Sequence, residues 1–390
     1  MRLRVIGMIS GTSFDAIETA IADLELAGTD LALTPVGALS VEMPDELRRR
    51  IAAVLPPATT TIEAVTKLDA DLGRAFAAAA VRARDEIGGG TADLVVSHGQ
   101  TVFHWVSDGK AHGGLQLGNP AWIAQATGLP VVADLRNRDI AAGGQGAPLA
   151  SLLDELLVLG GDSRRGSLNL GGISNITVTD GHLVTAYDIG PANALMDAAV
   201  TALTGGAETY DADGARAARG AVRTDLLQRL LAEPYYAAPP PKSTGKELFH
   251  PGYLADMQQD LPPVAPDDLL ATLTELTARV VADACRAHDL NDLVAAGGGV
   301  RNPVLMDRIS VLAAPCRVRT IEEFGLPSAA KEAYLFAVLG YLTVHGLPGT
   351  LAGATGAPVG SVLGSVTPGA AGWRLPPAGS TMPRRLVVRS

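Results

Sequence analysis

Apolar and polar residues follow one another along the chain in two patterns, one typical of strands and the other of helices. Residues 3–9 form an apolar run that suits a strand and stops at a cluster of small polar residues, and residues 17–21 then alternate apolar and polar side chains with a period of two. Over residues 62–87 apolar side chains recur every three or four positions, which predicts a helix with one apolar face. The other elements predicted in this half are helices at 45–54 and 120–127 and strands at 93–97 and 130–134. Strands that alternate with helices predict an α/β fold with a partly parallel sheet.

The pattern starts again near residue 167. Residues 167–170 predict a strand, Gly171 and Gly172 a turn, and residues 173–179 and 183–187 two more strands. The opening of the chain has the same order of strand, turn of small residues and strand, about 160 positions earlier. Further elements are predicted as helices at 191–203, 213–232, 266–288 and 302–313 and as a strand at 292–296. This weak internal repeat predicts two related α/β domains.

The composition excludes several classes of protein. The 390 residues carry a net charge of −10, which argues against a protein that mainly binds nucleic acid or an anionic membrane surface. No apolar run approaches the roughly 20 residues that a membrane-spanning helix needs. The two cysteines, Cys285 and Cys316, are too far apart for a CxxC or metal-knuckle motif and indicate unpaired thiols in a reducing compartment. We therefore expect a cytoplasmic protein with no nucleic-acid or membrane partner.

Three glycine-containing turns follow predicted strands and are candidates for binding a nucleotide. Residues 10–15 combine glycine and hydroxyl side chains, which could bind phosphate, with Asp15, which is placed to hold a divalent cation directly or through water. Residues 170–175 occupy the equivalent turn of the second half, so the two turns could hold one polyphosphate between them. Residues 297–299 are three glycines, against which an adenine ring or a ribose could lie. Each turn alone is also typical of an ordinary hairpin or loop, but three in this order are a stronger signal.

Charged side chains stand near the predicted ends of other strands. Asp188 ends the third strand of the second half, where open α/β sheets bind ligands, and is either a general base or the N-cap of a helix that begins near Pro191. His98 follows a buried strand and either contacts a ligand or makes a structural hydrogen bond. Arg136 lies in a charged loop and Glu332 in the first turn of an apolar helix. Both side chains are either solvated or directed at a ligand.

Eight segments, which together span roughly residues 3–360, resemble motifs of the anhydro-N-acetylmuramic acid kinases and occur in the order found in that family. They are ISGTSFDAIE (9–18), VSHGQTVFH (96–104), LQLGNPAWIAQATGLPVVADLRNRDIAAGGQGAPL (115–149), LNLGGISNIT (168–177), YDIGPANALMD (187–197), PPPKSTGKELF (239–249), AAGGGVRNPVLM (295–306) and AAKEAYLFAVLGY (329–341).

The resemblance implies an α/β fold of the sugar kinase/Hsp70/actin superfamily, with two ribonuclease-H-like domains and ATP in the cleft between them. We place the first domain at 1–140 plus about 326–390 and the second at 141–325. The implied reaction uses ATP and water to open the 1,6-anhydro ring of anhydro-N-acetylmuramic acid, and it yields N-acetylmuramic acid 6-phosphate and ADP. Such enzymes recycle peptidoglycan sugar in the bacterial cytoplasm and are typically homodimers, so the expected partners are a small amino sugar and a second copy of the chain.

The resemblance also implies a role for individual residues. Asp188 would be the catalytic base, and Asp15 would lie near Mg²⁺. The residues implied to place the sugar are His98, Arg136 and Glu332. Those implied to bind ATP are Gly11, Thr12, Ser13, Phe14, Asp15, Ala16, Ile17 and Glu18 in the first phosphate turn, Gly171 and Gly172 in the second, and Gly297, Gly298, Gly299 and Asn302 on the adenosine side.

Three positions depart from the family pattern. Ala16 and Ala192 stand where the family usually has glycine, and Glu18 stands where it has aspartate. A methyl group at 16 or 192 could crowd a turn that needs positive φ, which would affect rate and substrate fit more than fold. Two alternatives therefore stay open: a kinase of the same fold that acts on another amino sugar, and a non-catalytic sensor of nucleotide or muropeptide.

Overall fold

The computed structural model describes residues 1–160, 164–180, 183–240, 242–245, 247–372, 376–379 and 381–389. Its strands are β1 (Arg2–Ser10), β2 (Ala16–Ala27), β3 (Asp30–Glu42), β4 (Leu94–Ser107), β5 (Lys110–Leu117), β6 (Val131–Ala133), β7 (Arg165–Leu170), β8 (Ile173–Thr179), β9 (Val184–Pro191), β10 (Asp292–Ala296), β11 (Arg317–Thr320), β12 (Ser365–Thr367) and β13 (Arg385–Val388).

The α-helices are α1 (Asp45–Val54), α2 (Ile62–Glu86), α3 (Pro120–Thr127), α4 (Asn137–Ala141), α5 (Ala150–Asp154), α6 (Asn193–Leu203), α7 (Thr224–Leu231), α8 (Pro234–Ala237), α9 (Pro251–Gln258), α10 (Pro266–Ala287), α11 (Pro303–Ala313), α12 (Lys331–Val344) and α13 (Ala352–Thr355). Shorter segments are the π-helix Glu155–Leu159 and the 3₁₀ turns Ala212–Gly214, Ala217–Arg219, Gly298–Arg301, Ile321–Phe324 and Ser328–Ala330. Within the described ranges, no helix is long and apolar enough to cross a membrane.

These elements form two compact units, Met1–Gly160 with Gly325–Ser390, and Gly161–Phe324. Residues 141–160, which the sequence analysis assigned to the second domain, group with the first unit. Among the contacts that hold them there, the Lys331 ammonium donates to Asp154 Oδ1 at 2.6 Å, and the Gln145 N–H donates to the Thr355 carbonyl at 2.8 Å.

The sheet of the first unit has the order β12-β6-β4-β1-β2-β3-β13, with β5 paired to β4. β1, β2 and β3 form an antiparallel meander, and β4 and β6 run parallel to β1. β1 is central and apolar on both faces, as expected for a strand that is covered on both sides. Helix α12 packs so closely on it that a Cβ on Gly7 would overlap the Ala333 carbonyl oxygen. This contact fixes α12, and with it Glu332, against the central strand.

The sheet of the second unit has the order β11-β10-β7-β8-β9. β7, β8 and β9 form an antiparallel meander, and β10 and β11 continue the sheet parallel to β7. The same succession of three antiparallel and two parallel strands occurs in the first unit as β3-β2-β1-β4-β6. The predicted α/β fold class is therefore confirmed, and the two units repeat one another in strand order.

Some predicted elements are wrong in extent. Residues 213–232 are two 3₁₀ turns followed by α7 rather than one helix, because Asp213 and Gly214 have φ values of 54° and 66° that a continuous helix cannot contain. Near the C-terminus, β13 adds to β3 as a parallel strand that the sequence analysis did not predict. The strand predicted at 93–97 runs on to Ser107 and turns back as β5.

Candidate active site

In the first unit, the turn between β1 and β2 presents polar groups to solvent. Thr12, Ser13 and Asp15 are exposed, and the Ser13 hydroxyl donates to Asp15 Oδ1 at 2.6 Å. The Phe14 N–H closes the turn on the Gly11 carbonyl at 3.1 Å, and Phe14 itself has φ of 42°. A Cβ on Gly11 would meet nothing within 4 Å, so the space above this turn is open. Open hydroxyls, bare backbone and a carboxylate are the groups that a phosphate–cation pair requires.

The first residues of β2, which follow the turn, alternate between buried and partly exposed positions. Ile17 is buried in the apolar core of the first unit, so its side chain supports the turn from within. Glu18 is partly exposed and accepts a hydrogen bond from the Ser40 hydroxyl at 2.7 Å. Ala16 lies in the extended strand β2, where a methyl group is tolerated without strain.

His98 and Arg136 form a buried pair in the first unit. The Arg136 guanidinium donates from Nε and Nη2 to His98 Nε2, at 3.2 and 3.0 Å, and from Nη1 to the Gly146 carbonyl at 2.7 Å. Because Nε2 accepts these bonds, the imidazole is neutral. Burial, reinforced by the positive charge of Arg136, holds the pKa of His98 well below its ordinary 6.5. The ring also stacks on Phe336 of α12, with 4.7 Å between ring centroids.

Glu332 belongs to the same charged group. The surrounding protein displaces part of the water around the Glu332 carboxylate and so raises its pKa, although the side chain remains exposed. The negative charge of Glu18 raises this pKa further. The positive charges of Lys331 and Arg136 act in the opposite direction. The structure thus places His98, Arg136 and Glu332 in the first unit, with Arg136 bonded to His98 and close enough to Glu332 for their charges to interact. Their shared role in binding the sugar stays a prediction.

A cavity of about 440 Å³ lies in the first unit beside these residues. His98, Gln116, Asp134 and Asn137 contribute to its wall, whereas Arg136 and Glu332 do not. A volume of this size suits a monosaccharide or a larger ligand.

In the second unit, Asp188 lies on the outer strand β9 with its carboxylate held by three donors. The Asn175 amide donates to Oδ1 at 3.0 Å, and the Ser243 hydroxyl and the Thr244 N–H each donate to Oδ2 at 3.0 Å. Such bonds fix the direction of the carboxylate and stabilise its charge. None of the three donors is among the residues predicted from the sequence, although each lies within a segment that carries the family resemblance.

The alternative role of Asp188 as a helix N-cap is wrong. Helix α6 begins at Asn193, its N-cap residue is Ala192, and no side chain caps it. Ala192 has φ of −110°, so the methyl group that stands where the family has glycine causes no left-handed strain.

The two glycine turns of the second unit meet at the carboxyl ends of neighbouring strands. Gly297 has φ of 91°, and a Cβ on it would lie 2.6 Å from Asn169 Oδ1, so only glycine fits there. A Cβ on Gly298 would meet nothing within 4 Å, which leaves room for a ligand. The carbonyl of Gly171 accepts the Asn193 N–H and side-chain amide at 3.0 and 2.8 Å, which joins the second phosphate turn to the start of α6.

Asn302, predicted on the adenosine side, has a structural role in the fold. Its Oδ1 accepts the Leu305 N–H at 3.1 Å and so caps α11. Pro241 and Lys246 of the segment PPPKSTGKELF lie outside the described residues.

The family model for anhydro-N-acetylmuramic acid kinase matches residues 3–369. The chain belongs to this family. A relative from Streptomyces avermitilis with that name is 58% identical over 386 residues, which cover 99% of this chain and 100% of the relative. Relatives of the same name from Rhodococcus erythropolis and Acaryochloris marina are 50% and 41% identical, and they cover 95% and 93% of this chain and 95% and 99% of their own lengths.

The family membership identifies the segments that carry the resemblance as homologous to those of the kinases. Among solved structures, a ROK hexokinase from Thermus thermophilus is similar to 87% of this chain and 100% of its own, with 14% identity and a TM-score of 0.37, which is too low to support an argument.

Proposed function

We propose that this chain is an ATP-dependent anhydro-N-acetylmuramic acid kinase that acts in the cytoplasm during peptidoglycan recycling. It opens the 1,6-anhydro ring of its substrate with water and phosphorylates O6, which gives N-acetylmuramic acid 6-phosphate and ADP. The observation that carries the proposal is the Asp188 carboxylate, which three donors hold in place on the edge strand β9 in a chain of the kinase family.

Asp188 serves as the general base. It takes one proton from a water molecule, whose oxygen forms a bond to C1 of the sugar while the bond between C1 and O6 breaks. The released O6 attacks the γ-phosphorus of ATP, and ADP leaves with the electron pair of the broken P–O bond. Asp188 then returns its proton to solvent. One base thus suffices, because O6 is freed without a proton, and a general base typically contributes about 10²–10⁴-fold in rate.

The glycine turns bind the nucleotide in this proposal. In the first unit, residues 11–18 form the proposed phosphate-binding turn, with the buried Ile17 supporting it from within. In the second unit, Gly171 and Gly172 are proposed to bind phosphate. The three glycines at 297–299 and Asn302 line the adenosine. Support comes from the open space above Gly11 and Gly298, where bare backbone is accessible to a ligand.

Asp15 fits a Mg²⁺ ion that takes most of its other ligands from phosphate and water. Among the described residues, no group of three or more His, Cys, Asp or Glu side chains could enclose a metal ion. A single exposed carboxylate beside a phosphate-binding turn is the arrangement that Mg²⁺ uses in nucleotide enzymes. When bound, Mg²⁺ neutralises charge on the transferred phosphoryl group.

His98, Arg136 and Glu332 place the sugar. Arg136 uses three of its five N–H donors on His98 and Gly146, which leaves two for a ligand. The neutral His98 fixes the plane of the guanidinium, and Glu332 offers an acceptor for sugar hydroxyls. These contacts supply positioning, which accounts for much of the acceleration of phosphoryl transfer.

The direct test is ADP release from ATP and Mg²⁺ in the presence of purified anhydro-N-acetylmuramic acid, with the product identified by mass. A product heavier by one phosphoryl group and one water supports the proposal. Phosphorylation of a different amino sugar alone would indicate a kinase of another specificity, and nucleotide binding without any sugar-stimulated ADP release would indicate a sensor.

We also propose that the protein is a homodimer. The hairpin of β4 and β5 carries four large apolar side chains that are 42–52% exposed: Phe103, Trp105, Val106 and Leu115. Phe103 and Leu115 form a cross-strand pair, and exposed apolar patches of this kind mark interaction surfaces. Light scattering should give twice the chain mass for the wild type and the single chain mass for Trp105→Glu with Phe103→Glu. An unchanged mass in the variant would exclude this surface.

A further inference from the structure

The carboxylate of Asp188 is held asymmetrically. Oδ2 accepts two hydrogen bonds, from the Ser243 hydroxyl and the Thr244 N–H. Oδ1 accepts one, from the Asn175 amide. Each oxygen of an ionised carboxylate offers about two lone-pair sites. Oδ2 is therefore occupied, while Oδ1 keeps a site for one further donor.

The two donors to Oδ2 lie on a segment that is itself fastened to the strand. The Asp188 N–H donates to the Lys242 carbonyl at 3.3 Å, so residues 242–244 run along the outer edge of β9. The Lys242 ammonium donates to the carbonyls of Tyr235 and Tyr236 at 3.0 and 3.1 Å. It also lies 4.7 Å from the centre of the Tyr235 ring, a cation–π contact.

Tyr235 closes this arrangement by touching Asp188 directly. Its hydroxyl donates to the Asp188 carbonyl at 2.7 Å, and its ring packs edge-on against Phe249, with 6.2 Å between centroids. Phe249 is 1% exposed and belongs to the core of the second unit, so the Tyr235 ring packs against a buried side chain. Residues 242–244 are thus fastened to β9 and, through Lys242, to Tyr235 and Tyr236, and these contacts hold Ser243 beside the carboxylate.

We infer that Asp188 accepts the proton of water at Oδ1, and that Ser243 is a positioning residue that holds Oδ2 so that Oδ1 faces the water. The inference rests on the proposed function of Asp188 as general base. A hydroxyl that does not touch the substrate then controls the rate of ring opening through the direction of the carboxylate, while Asn175 limits the free lone pairs of Oδ1 to one.

The first experiment is a double-mutant cycle of Ser243→Ala and Asp188→Asn with steady-state kinetics. Ser243→Ala should lower kcat by about 10- to 100-fold, as expected for the loss of a hydrogen bond to a charged group, with KM for ATP unchanged. Ser243→Thr, which keeps the hydroxyl, should restore most of kcat. In the Asp188→Asn background, Ser243→Ala should have no further effect, because both changes remove the same function. Ser310→Ala is the matched control and should keep the wild-type rate. It removes a hydroxyl of α11 that is remote from β9 in sequence and donates to the Met306 carbonyl.

Each outcome of the cycle has one meaning. An unchanged kcat in Ser243→Ala, or equal losses in the wild-type and Asp188→Asn backgrounds, overturns the inference and leaves the proposed function intact. Near-normal activity of Asp188→Asn overturns the proposed base itself. If Ser243→Ala fails to fold, Ser243→Thr and Ser243→Cys compare hydroxyl with thiol, and equal rates in these two folded variants contradict the role of the hydroxyl.

A second measurement addresses the oxygen atom. In a crystal structure of the protein with its sugar and a non-hydrolysable ATP analogue, a water within hydrogen-bond distance of Oδ1 and next to C1 is expected. A water on Oδ2 in that complex would contradict the assignment.

Discussion

The close packing of α12 on β1 makes a specific prediction for Gly7. In a Gly7→Ala protein, the new methyl carbon would overlap the Ala333 carbonyl oxygen and lie 2.5 Å from the Ala337 nitrogen. Ordinary contacts between such atoms are about 3.5–4.0 Å, so the helix must move outward by about 1.5 Å to clear the Ala333 oxygen. Both neighbours are backbone atoms that cannot rotate away. We therefore expect Gly7→Ala to lower the free energy of unfolding by about 3 kcal/mol, near the upper end of the usual cost of overpacking.

The assay is denaturant unfolding of Gly7→Ala beside the wild type, together with KM for the sugar. Because α12 carries Glu332, the displaced helix should also raise the sugar KM while KM for ATP changes less. Gly113→Ala is the matched control, since a Cβ there would come no closer than 4.0 Å to Trp105. Equal unfolding midpoints for Gly7→Ala and Gly113→Ala would refute the packing argument.

Three further predictions concern buried and charged groups. His98→Gln should flatten the dependence of the free energy of unfolding on pH below 6.5, because burial lowers the pKa of His98 and the unfolded chain therefore binds a proton there that the folded chain does not. On acidification the free energy of unfolding of the wild type should fall more steeply than that of the variant, by up to about 1.4 kcal/mol per pH unit. Equal slopes from pH 7 to 5 would contradict this. Lys331→Met should lower the free energy of unfolding by about 3–5 kcal/mol, because it removes the ammonium 2.6 Å from the buried Asp154 carboxylate. Arg286→Met, which breaks the exposed ion pair with Asp283, should lower it by less than about 1 kcal/mol. Similar losses in the two variants would count against the burial argument. Asp15→Asn should raise the Mg²⁺ concentration for half-maximal ADP release by about 10-fold or more with little change in sugar KM, and an unaltered Mg²⁺ titration would remove Asp15 from the cation site.

Local pattern was sufficient to predict the strands and turns that position the candidate site. The apolar run at 3–9, the turn after it and the equivalent elements from residue 167 are read from short windows of sequence, and β1, β2, β7, β8 and β9 occupy those places. The expectation that Asp188 ends the third strand of the second half is wrong, because β9 continues past it to Pro191 through its pairing with β8.

The donors to Asp188 could not be predicted in this way. Asn175 reaches it across the pairing of β8 with β9, and Ser243 lies 55 positions further along the chain. Such contacts depend on the strand register and on how one loop is fastened to an edge strand. The spacing of apolar residues along the sequence gives no information on either. The outer part of the hairpin β4–β5 was missed for a related reason, since Phe103, Trp105 and Leu115 are exposed there and do not give the pattern of a half-buried strand.

The most direct test of the proposed chemistry is the fate of the water oxygen. The reaction is run in ¹⁸O-labelled water with ATP, Mg²⁺ and anhydro-N-acetylmuramic acid, for the wild type and for Asp188→Asn, and the product is fragmented in a mass spectrometer immediately after quenching. We predict one ¹⁸O atom on C1 of the sugar, none in the phosphoryl group, and a loss of product in Asp188→Asn of at least about 10²-fold. Label in the phosphoryl group, or phosphorylated sugar without label, would contradict hydrolytic ring opening by this protein.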